Sequence, residues 1–251
     1  MLSSAQIKYL RSLKTQKYRQ MYNKFVAEGP KLVIDLLKTR SFEPDGIYMI
    51  ENCIDPTLIE SFCHRSKISF ITESELKRIS MLQHPQGIYA VFHKRFTNIM
   101  NIDLKRAYHF LLDGVQDPGN AGTIIRIADW FGVSSVIRTA DSVDFFNPKL
   151  VQASMGSLGA VSLVNITKEQ YPVLRHLQLV ALDLSGTKIQ DFKFPENAIF
   201  VIGSEGRGVS AEIAEYVSQR IFIPGAKSRS AESLNASVAA GILASRLYSV
   251  A

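Results

Sequence analysis

Three glycine-marked loops carry most of the polar side chains that could act together. The first, Asp113-Gly114-Val115-Gln116-Asp117-Pro118-Gly119-Asn120, enters a helix that carries Arg126. The second is Gly203-Ser204-Glu205-Gly206-Arg207-Gly208. The third runs from Ile223-Pro224-Gly225 to Ser233-Leu234-Asn235. Each follows a strand candidate, and open α/β sheets place ligands at the carboxyl ends of their strands. Glycine there lets the backbone come close to a ligand. Each loop also has a purely structural reading. Asp117-Pro118-Gly119-Asn120 is good turn chemistry, Gly203 to Gly208 could only turn the chain into a helix, and Ser233 and Asn235 suit helix caps. Three such loops in one chain are harder to explain as turns alone.

The helix after Asn120 constrains any joint action. Ile124, Ile127, Ala128 and Phe131 fall at i, i+3, i+4 and i+7 and are expected to form its buried stripe, with Gly122, Arg126 and Asp129 on another face. Asn120 precedes Arg126 by six residues, roughly 240° around an ideal helix. If the two act together, Asn120 must act from the preceding loop. The plain alternative for Arg126 is a surface ion pair with Asp129, worth little.

These loops need strands and helices to hold them. Strand candidates in the C-terminal part are His109–Leu112, Ser135–Arg138, Val161–Val164, Leu179–Leu182, Ile199–Ile202 and Arg220–Ile223, with helix candidates between several and a last helix from about Ser233 to Tyr248. That order implies a mostly parallel sheet covered on both faces. The N-terminal part alternates shorter elements: a helix from Pro30, helical Pro56 to Phe62, and strands at Gly46–Ile50, Ile68–Ile71 and Ile88–Phe92. Residues 95 to 107 are polar and aperiodic. We therefore expect a first α/β domain over 1–95, a linker over 96–107 and a second domain over 108–251, which suits a length of 251 residues.

Composition narrows the function classes. With 46% apolar and 21% charged residues the chain can build a core, so disorder is not expected. No apolar run approaches the ~18 residues of a bilayer span, and the basic start lacks a signal-peptide core. Cys53 and Cys63 match no zinc spacing and are too few for a disulfide scaffold, so a reduced, cytoplasmic setting is expected. A net charge of +6 suits a polyanionic partner such as RNA. From Met1 to Ala27 there are six basic residues and no acid, interleaved with Tyr9, Tyr18, Tyr22 and Phe25. Such a segment can grip phosphates and stack on bases. It can equally be an amphipathic helix packed through Ile7, Leu10 and Leu13. Packing is the expectation for the aromatics and RNA contact for the cations.

Asn120 with Gly122 and Arg126, then Ile202-Gly203-Ser204-Glu205-Gly206-Arg207-Gly208, then Ile223-Pro224 with Glu232-Ser233-Leu234-Asn235, resemble in order the three motifs of the SpoU (TrmH-type) RNA 2′-O-methyltransferases of the SPOUT superfamily. Phe25-Val26-Ala27-Glu28-Gly29-Pro30-Lys31, with His84-Pro85-Gln86-Gly87-Ile88, resembles the small ribosomal-protein-like RNA-binding domain often attached in front. The third loop departs from the family pattern, being lengthened around Lys227-Ser228-Arg229-Ser230.

The resemblance implies an α/β C-terminal domain with a parallel sheet and a trefoil knot, S-adenosylmethionine as cofactor, rRNA or tRNA as substrate, no metal, no membrane, and a homodimer. It implies a catalytic set of Arg126, Asn120, Glu205, Ser233 and Asn235, with Asn120 orienting Arg126. It implies cofactor binding by Gly203, Glu205, Ile223, Ser233, Leu234 and Asn235. The small residues of the last helix (Ala236, Ala239, Ala240, Gly241, Ala244) are expected to permit close approach of a second copy. The alternative is a non-catalytic RNA-binding or ribosome-assembly protein on the same fold. A nucleotide-dependent oxidoreductase is disfavoured because Gly203 to Gly208 reads G-x-x-G-x-G rather than G-x-G-x-x-G. No phosphate-loop motif and no G-x-S-x-G elbow occur.

Overall fold

The computed structural model describes residues 1–250. In chain order it contains α1 (Ser4–Ser12), α2 (Gln16–Tyr22), β1 (Lys24–Glu28), α3 (Pro30–Thr39), β2 (Pro44–Met49), α4 (Pro56–Glu60), β3 (Ile68–Phe70), α5 (Glu73–Ile79) and β4 (Ile88–His93). There follow β5 (Tyr108–Asp113), α6 (Pro118–Trp130), β6 (Ser135–Thr139), α7 (Pro148–Ser154), β7 (Ser162–Ile166), β8 (Leu179–Lys188), β9 (Ala198–Gly203), α8 (Ala211–Ala214), β10 (Gln219–Phe222) and α9 (Ala236–Val250). The chain divides into two units, one of residues 1–95 with 144–160, the other of 96–143 with 161 onward.

The first unit is built on a four-stranded sheet of order β1-β4-β2-β3, antiparallel except for β2 beside β3. Ile7, Leu10 and Leu13 from the basic N-terminal segment are buried with Leu76, Ile79, Tyr89 and Val91. The amphipathic reading therefore holds for Ile7, Leu10 and Leu13, but of the aromatics expected to pack, Tyr18 and Tyr22 do not. Among the interleaved aromatics Phe25 is fully buried, whereas Tyr18 and Tyr22 are exposed and stack on one another with centroids 6.3 Å apart. Pro30 opens α3, whose Leu32, Val33, Leu36 and Leu37 face the core.

Residues 144–160 pack with this unit rather than with the strands that flank them in sequence. Phe146 lies 4.7 Å from Phe25 and 5.8 Å from Phe42, ring centre to ring centre. The Arg19 guanidinium donates through Nε and Nη2 to Asp144 Oδ2, at 3.2 and 3.0 Å, and through Nη1 to the carbonyls of Leu13 and Lys14. Residues 96–107 are likewise not a free linker: Ile99 and Leu104 are buried in the second unit's core, and Thr97 N donates to Leu163 O. The polarity that suggested a linker belongs to exposed residues around those anchors, Asn101, Asp103, Lys105 and Arg106.

The second unit is a six-stranded sheet of order β10-β8-β9-β5-β6-β7, every neighbouring pair parallel. Strands covered on both faces become continuous apolar runs, which is why Phe110-Leu111-Leu112 and Ile199 to Ile202 are buried throughout. β5 lies between β9 and β6, so the crossovers leave its two sides in opposite directions. The crevice outside the strand ends near such a switch point is where α/β sheets take ligands.

Three expectations are corrected here. The buried face of α6 is Ala121, Gly122, Ile124, Ile125 and Ala128, so Gly122 does not share the exposed face of Arg126 and Asp129, while Ile127 and Phe131 are half-buried. Phe131 lies against Tyr248 of α9, 6.0 Å between ring centres. Asn120 sits inside the first turn of α6, because Asp117 caps the helix and Pro118 opens it. The small residues Ala236, Ala240 and Ala244 of α9 are buried within their own chain; among the described residues its exposed large apolar side chains are Val238, Ile242 and Tyr248.

Candidate active site

Three segments distant in sequence meet at the carboxyl ends of β5, β8 and β9. The Gly203 to Gly208 turn closes on itself: Ser204 N donates to Gly208 O at 3.0 Å, and Gly208 N to Ser204 O at 2.8 Å. A Cβ on Gly203 would lie 2.4 Å from the Gly208 carbonyl carbon, so only glycine admits this curl. Asp113, buried at the end of β5, accepts from Ser210 N at 2.6 Å and pins the far end of the turn.

This turn presents Glu205 to two asparagines. Glu205 Oε1 accepts from Asn120 Nδ2 at 2.7 Å, Asn235 Nδ2 at 3.0 Å and the Ala236 amide at 3.2 Å. Asn235 Nδ2 also donates to Asn120 Oδ1 at 2.9 Å. Asn235 Oδ1 in turn caps α9, accepting from the Ser237 and Val238 amides and from Ser237 Oγ. A carboxylate at a helix N-terminus is favoured by the helix dipole, so one acid orders both the start of α9 and the first turn of α6.

Beside this network opens a cavity of about 360 Å³. Its wall is the turn 203–209, the β8 end (Leu182, Asp183, Leu184), Ile202, Ile223, Ser233, Leu234, Ala236 and Ala239. Of the residues expected at the site, Gly203, Glu205, Ile223, Ser233 and Leu234 line the cavity, and Asn120 and Asn235 join Glu205 next to it. Asn120 spends its side chain on that network, not on Arg126. Arg126 lies on the exposed face of α6, outside the cavity wall, and makes no hydrogen bond or ion pair among the described residues, Asp129 included.

Sequence reasoning missed Leu182-Asp183-Leu184, the buried Ser237 and the anchor Asp113. The first had a signal of the same kind as the other loops, a strand followed closely by a glycine, here Gly186. The size, apolar walls and backbone-rich rim suit a nucleoside-sized ligand. Two carboxylates in the wall add acceptors for a cationic, hydroxyl-bearing one. Among the described residues, no group of three or more His, Cys, Asp or Glu is placed to hold a metal ion.

Comparison with known proteins agrees with this geometry. Residues 107–245 match the profile of the SpoU rRNA Methylase family, and residues 4–90 that of the MRM3-like substrate binding domain. The 23S rRNA (guanosine(2553)-2′-O)-methyltransferase RlmP of Bacillus subtilis is 30% identical over 94% of this chain and 93% of its own. A solved structure from Porphyromonas gingivalis, assigned to the TrmH family of RNA methyltransferases, is 35% identical with a TM-score of 0.85, covering 100% of both chains. The AdoMet-bound rRNA methyltransferase from Sinorhizobium meliloti is 28% identical with a TM-score of 0.87, covering 98% of this chain and 95% of that one.

Proposed function

The chain belongs to the SpoU rRNA methylase family, and from that premise we propose that it transfers a methyl group from S-adenosylmethionine to a ribose 2′-hydroxyl in rRNA or tRNA. The observation that carries the reading is the convergence of Gly203–Gly208, Ile223 and Ser233–Leu234 on one cavity, with Asn120, Glu205 and Asn235 locked beside it. The cavity fits the cofactor: apolar Leu182, Ile202, Ile223 and Leu234 suit an adenine ring, and Asp183 and Glu205 suit a cation and hydroxyl donors. When bound, the cofactor supplies an electrophilic methyl on a sulfonium.

The chain's own residues supply position and field. Glu205, Asn120 and Asn235 fix the two helix starts that frame the cavity. Ser233 and Leu234 close its rim. Arg126 holds the substrate: an arginine stays protonated and so is no proton acceptor, but its fork can clamp a backbone phosphate and stabilise the charge that develops on the 2′-oxygen. Holding that oxygen in line with the methyl supplies much of the rate. RNA recognition falls to the first unit, supported by the exposed cations of α1 and α2, Lys8, Arg11 and Lys17 among them.

The enzyme acts as a homodimer through α9. Val238 and Ile242, four residues apart, are 51% and 37% exposed, and Trp130 of α6 is 83% exposed, an apolar surface that a second copy would cover. No helix among the described residues is long and apolar enough to cross a membrane. The free thiols of Cys53 and Cys63 support a reducing, cytoplasmic setting. The test is twofold. S-adenosylhomocysteine, and not NAD, raises the melting temperature, and labelled cofactor leaves label on 2′-O-methylated nucleosides of digested RNA. Label on bases, or none on RNA, overturns the assignment.

A further inference from the structure

We propose that Asp183 binds the cofactor's ribose hydroxyls and is a positioning residue for the cofactor; this rests on the cavity being the S-adenosylmethionine site. β8 is interrupted where it meets the cavity. Val180 and Ala181 pair with Gln219 and Arg220 of β10, yet the ladder resumes only at Thr187 and Lys188, opposite Ile221 and Phe222. On the other side β8 last touches β9 at Leu182, which pairs with Ile202. Residues 183–186 therefore leave both ladders, and the departure carries Asp183 and Leu184 into the cavity wall.

The excursion is held in place. Gly186 has φ +115°, and a Cβ there would lie 2.2 Å from the Arg220 carbonyl oxygen, so the returning chain hugs β10 in a way other residues do not allow. The Arg220 guanidinium donates through Nη1 to Asp183 Oδ2, and Leu184 N donates to Oδ1 at 2.6 Å. The carboxylate is thus oriented while its side chain remains 28% exposed. A carboxylate is acceptor-only and has lone pairs to spare beyond these two donors.

Two carboxylates line the cavity, Asp183 and Glu205. Glu205 Oε1 already takes three N–H groups from the frame. Asp183 is the one engaged only by its own segment and β10. The donors a cofactor of this class can offer it are the ribose diol and the α-ammonium. Arg220 already balances the charge of Asp183, and an ammonium would bring a second cation against the guanidinium, a like-charge contact. Neutral hydroxyls carry no such cost. An acid at a strand end reading ribose hydroxyls is also the device that doubly wound nucleotide-binding sheets use.

Calorimetry on the full-length wild type, Asp183→Ala and Asp183→Asn tests this with three probes: S-adenosylhomocysteine, its 2′,3′-dideoxy analogue, and 5′-methylthioadenosine, which keeps the diol and lacks the amino-acid tail. Asp183→Ala should bind S-adenosylhomocysteine and 5′-methylthioadenosine about ten- to hundredfold more weakly than wild type, the loss of hydrogen bonds to a charged acceptor. The dideoxy analogue should bind wild type and variant alike. Asp183→Asn, nearly isosteric, carries the comparison if the alanine variant unfolds. Loss confined to S-adenosylhomocysteine, with 5′-methylthioadenosine unaffected, would assign the carboxylate to the ammonium and overturn the proposal, as would equal binding of all probes by wild type and variant. A wild type that takes up no S-adenosylhomocysteine overturns the cavity assignment itself, and the proposal with it.

Discussion

Glu205 Oε1 is the acceptor on which the site's frame converges, so its removal is the sharpest single-residue test of that frame. Glu205→Ala leaves Asn120, Asn235 and the Ala236 amide without their shared acceptor. We expect about 1 kcal/mol of lost stability, because the site is exposed and water substitutes in part. We also expect a larger fall in cofactor affinity than that figure would suggest, seen by calorimetry beside a urea titration. A second residue acts through pH. Glu28 is buried, accepting from Ser80 Oγ and from Met81 N at 2.9 Å, and burial pushes its carboxyl above the ordinary value of 4.5. The native state then keeps a proton that the unfolded chain has released. The stability this gives is full below about pH 4.5 and is lost as pH rises through the raised native value. Glu28→Gln keeps an acceptor for Met81 N, meets Ser80 Oγ with an amide donor instead of a carboxylate oxygen, and removes the titration. Its urea midpoint should match or exceed wild type at pH 7 and lose that advantage toward pH 4. A wild type that gains on the variant as pH rises would contradict this.

Among the elements, the strands of the parallel sheet were legible because burial on both faces writes unbroken apolar runs, and Pro30 and Asn235 mark helix starts by simple capping chemistry, whereas the Asp117-Pro118 start of α6 was hidden because the same residues make a good turn. The family resemblance put Asn120, Glu205 and Asn235 in one site but not in one network: it assigned Asn120 to Arg126, and nothing local pairs Glu205 with partners 85 and 30 residues away. The trefoil knot rests on the resemblance alone; chain-local rules disfavour knots. Placing residues 144–160 with the first unit was not legible, because nothing local says that Asp144 answers Arg19, 125 positions earlier. The excursion of β8 was hidden because Leu182-Asp183-Leu184 alternates as an ordinary strand does. The Arg19–Asp144 pair gives this scale its prediction. Both side chains are almost fully buried, at 2% and 6% exposure, so Asp144→Ala strands a guanidinium and should cost about 3–5 kcal/mol. Changing both residues to apolar ones of similar size should cost less than Asp144→Ala alone, a non-additivity read from denaturant midpoints.

For the molecule as a whole, the proposed pairing of two copies through α9 carries the prediction. Val238 is exposed in one copy and lies outside the cavity wall. Val238→Glu should convert a particle of twice the 28.0 kDa chain mass to a monomer by sedimentation, with the fold intact by circular dichroism. A wild type that sediments as a monomer at micromolar concentration would remove the dimer. In the proposed mechanism the cavity holds the cofactor while Arg126, outside its wall, acts on the RNA. The direct measurement pairs single-turnover methyl transfer to RNA with calorimetry of S-adenosylhomocysteine for wild type and Arg126→Ala. Transfer by the variant should fall at least about a thousandfold, the scale of losing a charge-stabilising donor, with cofactor affinity unchanged within about twofold. An equal fall in cofactor affinity, or transfer at the wild-type rate, would contradict the account.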